Sequence, residues 1–127
     1  MKRYKVLIVE DEESLLKLES ILLVSKGYKV SGVADGNAAL REIASDRPDV
    51  VILDVMLPGM DGFEICRRIR SDAATRSIVV IMLTAKKNSQ DMERGVEAGA
   101  DAYMTKPFKS AQLIATIERF LLERNAG

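Results

Sequence analysis

The stretch VVILDVMLPGMDG at residues 50–62 opens with four apolar residues that are followed directly by an aspartate. An apolar run with no polar interruption is typical of a strand that helices cover on both faces. Asp54 comes immediately after this run, at the point where such a strand would end. The stretch therefore predicts a central strand of a parallel sheet with a carboxylate at its carboxyl end.

Four further apolar runs of strand size, with helical periodicity between them, extend this pattern over the chain. The runs are 6–9, 30–34, 78–83 and 102–104. The second alternates and the fifth is short, so both are predicted at sheet edges. Five apolar stripes predict helices: Leu15, Leu18, Ile21 and Leu22; Ala39, Leu40 and Ile43; Phe63, Cys66 and Ile69; Met92, Gly95 and Val96; Leu113, Ile117, Phe120 and Leu121. The alternation predicts a flavodoxin-like α/β sandwich, a doubly wound five-stranded parallel sheet in the order 2-1-3-4-5.

Composition excludes several classes of protein. The 127 residues are expected to form a single domain with no effector domain, and 19 basic residues balance 19 acidic ones. This balance gives no global attraction to nucleic acid or to an anionic membrane. A single Cys, no long apolar run and no leader pattern predict a cytoplasmic protein. Because the chain has no His, it lacks histidine nucleophile schemes, histidine metal sites and a phosphohistidine of its own.

Polar residues follow four of the predicted strands at the edge where open α/β sheets bind ligands. They are Glu10 and Asp11, Asp54, Thr84, and Lys106. Gathered carboxylates repel one another unless a cation or a lysine compensates them. Oxygen ligands without His suit Mg²⁺, and a carboxylate beside Mg²⁺, an ammonium and a hydroxyl has the parts for forming an aspartyl phosphate. Asp54 is the predicted nucleophile.

Simpler interpretations of the same residues stay open at this stage. The acidic run 10–13 is also what a helix N-terminus favours. Taken alone, Lys106 and Thr84 are ordinary residues at strand ends. Asp54 is harder to explain this way, because an ionised carboxylate beside a buried apolar run is costly unless it is paired or metal-bound. Cys66 and the six Met residues are interpreted as packing.

As a set these motifs resemble the CheY-like receiver domain of two-component response regulators. The resemblance spans the chain in order and spacing, through Glu10-Asp11, the stretch 52–62, Thr84-Ala85 and Lys106-Pro107-Phe108. It implies that Asp54 accepts a phosphoryl group from the phosphohistidine of a sensor histidine kinase or phosphotransfer protein. The chain would then be a phosphorylation-dependent signalling switch rather than an enzyme, catalysing its own phosphorylation and slow dephosphorylation.

The resemblance also implies a role for each site residue. Mg²⁺ would be bound by Asp11, Asp54 and the backbone carbonyl of Met56, with Glu10 acting mainly through a metal-bound water. Lys106 would pair with the phosphoryl group. Thr84 and Tyr103 would form the switch, and Lys106-Pro107 resembles the cis peptide of the family.

The expected output surface is formed by the fourth helix, the fifth strand and the fifth helix. In the DNA-binding branch of the family this surface carries dimer-forming charges, but Ala102 and Thr116 stand where two of them are expected. The chain is therefore not predicted to bind nucleic acid directly or to associate with a membrane. A phosphorylation-dependent homodimer and the identity of the output partner stay open.

A bulky Met56 and a long Lys86 should obstruct the attacking water, so a phosphoryl lifetime of minutes or longer is expected. Two other functions are weighed against the switch. One is a receiver-like scaffold that binds partners without phosphorylation. The other is a Mg²⁺-dependent phosphohydrolase, which would typically carry an acid in place of Met56.

Overall fold

The computed structural model describes residues 3–85 and 89–126, in which strands and helices alternate throughout. The strands are β1 (Lys5–Val9), β2 (Lys29–Val33), β3 (Val50–Asp54), β4 (Val79–Thr84) and β5 (Ala102–Thr105). The helices are α1 (Glu13–Ser25), α2 (Gly36–Ser45), α3 (Gly62–Ser71), α4 (Ser89–Ala98) and α5 (Ser110–Ala126). The predicted alternation is confirmed, with strand ends that differ from the apolar runs by a residue or so.

All strands pair in parallel, in the order β2-β1-β3-β4-β5. This is the predicted flavodoxin-like topology, and β2 and β5 lie at the edges as expected. Both β3 and β4 are buried at every residue, which explains their uninterrupted apolar sequence. The order of the strands reverses between β1 and β3, so a ligand site is expected where these two strands end.

Two apolar layers hold the helices against the sheet. One layer lies between the sheet and α1 and α5, and it includes Ile8, Leu23 and Ile117. The other lies between the sheet and α2, α3 and α4, and it includes Leu53 and Phe63. Within the ranges that the structure describes, none of the helices is long and apolar enough to cross a lipid bilayer.

The packed faces of α1 and α4 differ from the predicted apolar stripes. On α1, Leu18 and Ile21 are 64% and 61% exposed, whereas Glu19 and Leu23 are buried. Because α1 is apolar around most of its circumference, residue spacing alone does not determine which stripe faces the sheet. On α4, Met92 and Val96 are exposed, and Gly95 is the one member of the predicted stripe that is buried.

The interpretation of every Met residue as packing is wrong in two cases. The side chain of Met56, in the loop after β3, is 57% exposed, and that of Met92, on α4, is 45% exposed. Neither position is enclosed by the two layers, because one lies beyond the end of a strand and the other lies on the outer side of a helix.

Candidate functional site

Three carboxyl groups meet where β1 and β3 end. Glu10 follows β1 and Asp54 is the last residue of β3, and the two strands are paired neighbours. Asp11 completes the group, and one oxygen from each of the three carboxylates lies within 4.8 Å of the others. Glu10 and Asp54 are buried, whereas Asp11 is exposed. The structure therefore brings together the acidic residues that the sequence placed at this edge.

Lys106 supplies a positive charge to this cluster. Its Nζ lies 2.7 Å from Oε1 of Glu10 and 3.3 Å from Oδ2 of Asp54. The lysine follows β5, where its backbone N–H donates to the Thr84 carbonyl at 2.8 Å and its peptide bond to Pro107 is cis. Two buried carboxylates are thus compensated by one partly buried ammonium group.

The electrostatics of this group follow from burial and close charges. Burial raises the pKa of the Glu10 carboxyl group, and the nearby Asp54 adds to this rise, although the hydrogen bond from Lys106 opposes it. Burial works against the charge of Lys106, but its hydrogen bond to Glu10 and the charge of Asp54 outweigh that cost and raise its pKa. Lys106 is therefore an ammonium group at neutral pH.

The turn between β3 and α3 fixes the Asp54 side chain. The backbone N–H of Met56 donates to Oδ1 of Asp54 at 3.1 Å, and Asp61 caps α3 by accepting from the backbone N–H of Glu64 at 2.9 Å. A Cβ atom added to Gly62 would lie 2.5 Å from the Asp54 carbonyl oxygen. The start of α3 therefore packs directly on the backbone of Asp54, a role that sequence reasoning did not assign to Gly62.

The two predicted switch residues contact each other. Thr84 is buried at the end of β4, one residue past the register partner of Asp54. The Thr84 side chain interacts with the phenol of Tyr103, whose ring packs beside Gly95 of α4. Burial raises the pKa of the Tyr103 phenol, and Asp91 adds to the rise while Thr84 opposes it. Lys86, which the sequence linked to water access, lies outside the described residues.

Glu19 is a buried charged group that the sequence analysis missed. The residue is 2% exposed, and neither carboxylate oxygen has a hydrogen-bond partner within the described ranges. Burial raises the pKa of Glu19 to about 7. The available signal was an acidic residue on α1 four positions before the buried Leu23, where an apolar residue would be usual.

The comparison with protein families agrees with this geometry. Residues 6–118 match the response regulator receiver domain. The chain belongs to this family. Receiver domains are parts of two-component systems that partner histidine kinases, work as phosphorylation-dependent switches and typically use Mg²⁺. The resemblance inferred from the sequence is therefore confirmed, and the acidic cluster of this receiver domain is a group that can hold a metal ion.

Individual relatives agree with the assignment. The receiver domain is 42% identical over 123 residues to the DNA-binding response regulator MtrA of Mycolicibacterium smegmatis, covering 97% of this chain and 52% of MtrA. It therefore spans about half the length of that relative. The DNA-binding description applies to MtrA, and the absence of direct nucleic-acid binding here stays a prediction.

Solved structures show the same fold. A response regulator from Chloroflexus aurantiacus superposes with a TM-score of 0.91 at 36% identity, covering 95% of this chain and 99% of that one. A CheY-like receiver domain protein from Methanospirillum hungatei gives a TM-score of 0.93 at 26% identity, with 98% of each chain covered. The predicted architecture is therefore confirmed.

Proposed function

We propose that Asp54 is the phosphoryl acceptor of this receiver domain and that the donor is the phosphohistidine of a sensor kinase or phosphotransfer protein. The observation that carries the proposal is a buried carboxylate at the reversal of strand order with an ammonium group 3.3 Å away. A carboxylate oxygen of Asp54 attacks phosphorus and forms a P–O bond. The P–N bond of the donor breaks, and its electron pair stays on the imidazole nitrogen.

Mg²⁺ is the cation that we assign to Glu10, Asp11 and Asp54, together with the backbone carbonyl of Met56. The donors fit this ion because carboxylate and carbonyl oxygens are the hard ligands that Mg²⁺ prefers. When bound, the ion supplies positive charge that offsets the carboxylates and the phosphoryl oxygens. Glu10 is held by Lys106 on one side, which favours contact with the ion through water.

Lys106 and Thr84 are the residues that we assign to the incoming phosphoryl oxygens. Lys106 already contacts Asp54, so its ammonium group can follow the negative charge from the carboxylate to the phosphoryl group. A phosphoryl group brings about 1.5 to 2 negative charges, which attract the Thr84 hydroxyl away from Tyr103. The interaction between these two side chains thereby connects the chemistry to the surface of α4, β5 and α5.

This function requires no catalysis beyond the domain's own phosphorylation and its slow reversal. The backbone N–H of Met56 binds the proposed acceptor and its side chain is exposed, so we expect this bulky side chain to hinder a water molecule that approaches the acyl phosphate. We infer a phosphoryl lifetime of minutes or longer. A decay within seconds, in the absence of a phosphatase, would contradict that inference.

The proposal is tested by intact-mass measurement after incubation with acetyl phosphate, with and without Mg²⁺. The wild-type domain should gain one phosphoryl group only when Mg²⁺ is present. Asp54→Ala should gain none, whereas the control Asp46→Asn, which changes an exposed carboxylate, should behave like the wild type. An adduct of equal yield on Asp54→Ala would overturn the proposal.

A further inference from the structure

The carboxyl group of Glu19 takes no part in the chemistry proposed above, yet it is buried beside it. Both of its oxygens are shielded from solvent and have no hydrogen-bond partner within residues 3–85 and 89–126. Leaving a carboxyl group in this condition costs stability, because burial removes water without providing a replacement partner. An apolar side chain at this position would fit the packed face of α1 without that cost.

The position of Glu19 connects it to Lys106. A cavity of about 730 Å³ lies between α1 and the segment that follows β5, and Glu19, Lys106 and Phe108 are among the residues that line it. The charges of Glu10, Lys106 and Asp54 are near enough to influence Glu19 electrostatically. These are the three members of the ion-paired cluster, and Lys106 is the cation among them.

Lys106 has one more hydrogen-bond donor than the structure uses in this cluster. An ammonium group carries three N–H donors, and the contacts to Glu10 and Asp54 engage two of them. Both acceptors are also groups that the proposed cation and phosphoryl group require. A third acceptor that binds neither the cation nor the phosphoryl group would keep the ammonium group of Lys106 in place while Glu10 and Asp54 change partners.

We propose that Glu19 is a positioning residue for Lys106, and that its carboxyl group provides an acceptor from the α1 side when the cation and the phosphoryl group engage Glu10 and Asp54. The inference rests on the proposed function. The partner assigned to Glu19 is Lys106 of the same domain rather than a ligand from solution, because neither carboxylate oxygen is exposed to an approaching molecule. Glu19 touches no reacting atom in this account and acts through Lys106.

Glu19→Leu and Glu19→Gln separate this role from a purely structural one. Glu19→Leu removes every acceptor but suits the apolar face of α1, so this variant should unfold at a higher urea concentration than the wild type. Its rate of phosphorylation by acetyl phosphate should nevertheless fall about tenfold or more, as for supporting residues of other polar sites. Gln keeps one acceptor oxygen and should recover most of the rate. Glu118→Gln, an exposed carboxylate on α5, serves as the control.

A second readout follows Lys106 itself in the domain held with Mg²⁺ and beryllium fluoride, a mimic of the bound phosphoryl group, because this is the state in which Glu19 is proposed to accept from Lys106. The ¹⁵N resonance of its ammonium group, assigned by its loss in Lys106→Met, should shift in Glu19→Leu and stay unchanged in Glu118→Gln. A wild-type phosphorylation rate in Glu19→Leu, or an unchanged Lys106 resonance, would overturn the inference. Failure of the wild-type domain itself to accept a phosphoryl group would instead contradict the proposed function.

Discussion

The ammonium group of Lys106 donates a 2.7 Å hydrogen bond to Glu10, a residue 96 positions earlier in the chain. The contact joins the carboxyl end of β1 to the segment after β5. It leaves Glu10 buried but paired, which makes the acidic cluster tolerable in the folded protein.

Replacing Lys106 by Met should destabilise the cation-free domain by about 3 kcal/mol, because two buried carboxylates lose their counter-charge. Added Mg²⁺ should then raise the melting temperature of Lys106→Met more than that of the wild type. Thermal unfolding with and without Mg²⁺ measures both effects. Lys17→Met, which changes an exposed lysine on α1, is the control, and equal Mg²⁺ responses in all three proteins would contradict the prediction.

Glu19 should make the stability of the domain depend on pH. Burial raises its pKa from 4.5 to about 7, so the folded state binds this proton more tightly than the unfolded state does. The stability that this tighter proton binding provides is fully present below pH 4.5 and is lost as the pH rises to about 7. The free energy of unfolding should fall by roughly 3 kcal/mol over this interval. Glu19→Gln should therefore gain stability relative to the wild type over this interval.

Urea denaturation at a series of pH values, without divalent cations, measures this difference. Subtracting the wild-type free energy of unfolding from that of Glu19→Gln cancels most contributions from other groups. The difference should increase between pH 4.5 and pH 7 and then level off. A difference that is constant with pH would show that Glu19 has an ordinary pKa in the folded state.

Gly95 should control the position of Tyr103. A Cβ atom at Gly95 would lie 3.0 Å from Cδ2 of the Tyr103 ring, which is closer than ordinary packing allows. In Gly95→Ala the ring should move outward, and stability should change by no more than about 1 kcal/mol because Ala favours the helix. The pKa of the Tyr103 phenol should then lie closer to its ordinary value, and an NMR titration of the Tyr103 ring would show this. An unchanged Tyr103 titration would contradict this.

Gly62→Ala should disturb the acceptor directly. The added Cβ atom would approach the Asp54 carbonyl oxygen to 2.5 Å and the Cα of Val55 to 3.0 Å, and neither backbone atom can move freely. Overpacking of this kind costs about 1–3 kcal/mol, so the urea midpoint should fall and phosphoryl uptake should slow. A variant with wild-type stability and uptake would show that α3 shifts without strain.

Sequence reasoning reached most of the fold because the strands of a covered parallel sheet are continuously apolar. The run 50–53 and Asp54 located β3 and its carboxyl end, and parallel pairing then placed Glu10 beside Asp54. Spacing could not identify the packed face of α1, where apolar residues surround the helix. Glu19 was missed for the same reason, because its burial depends on how α1 sits on the sheet and the segment after β5.

The contacts that tune the site are also beyond the reach of a single sequence. Lys106 was expected near the carboxylates, but its preference for Glu10 over Asp54 follows from distances of 2.7 and 3.3 Å. The closeness of Gly62 to the Asp54 backbone depends on how α3 docks. Such details arise from packing in three dimensions, so patterns along the chain carry little information about them.

Chemical trapping of the phosphorylated residue tests the central claim most directly. The domain is incubated with Mg²⁺ and acetyl phosphate, and borohydride then reduces any acyl phosphate to an alcohol that peptide mass spectrometry can locate. The account predicts that Asp54 alone is reduced, in a Mg²⁺-dependent manner. Reduction at another carboxylate, or no reduction in a domain that has gained a phosphoryl group, would contradict it.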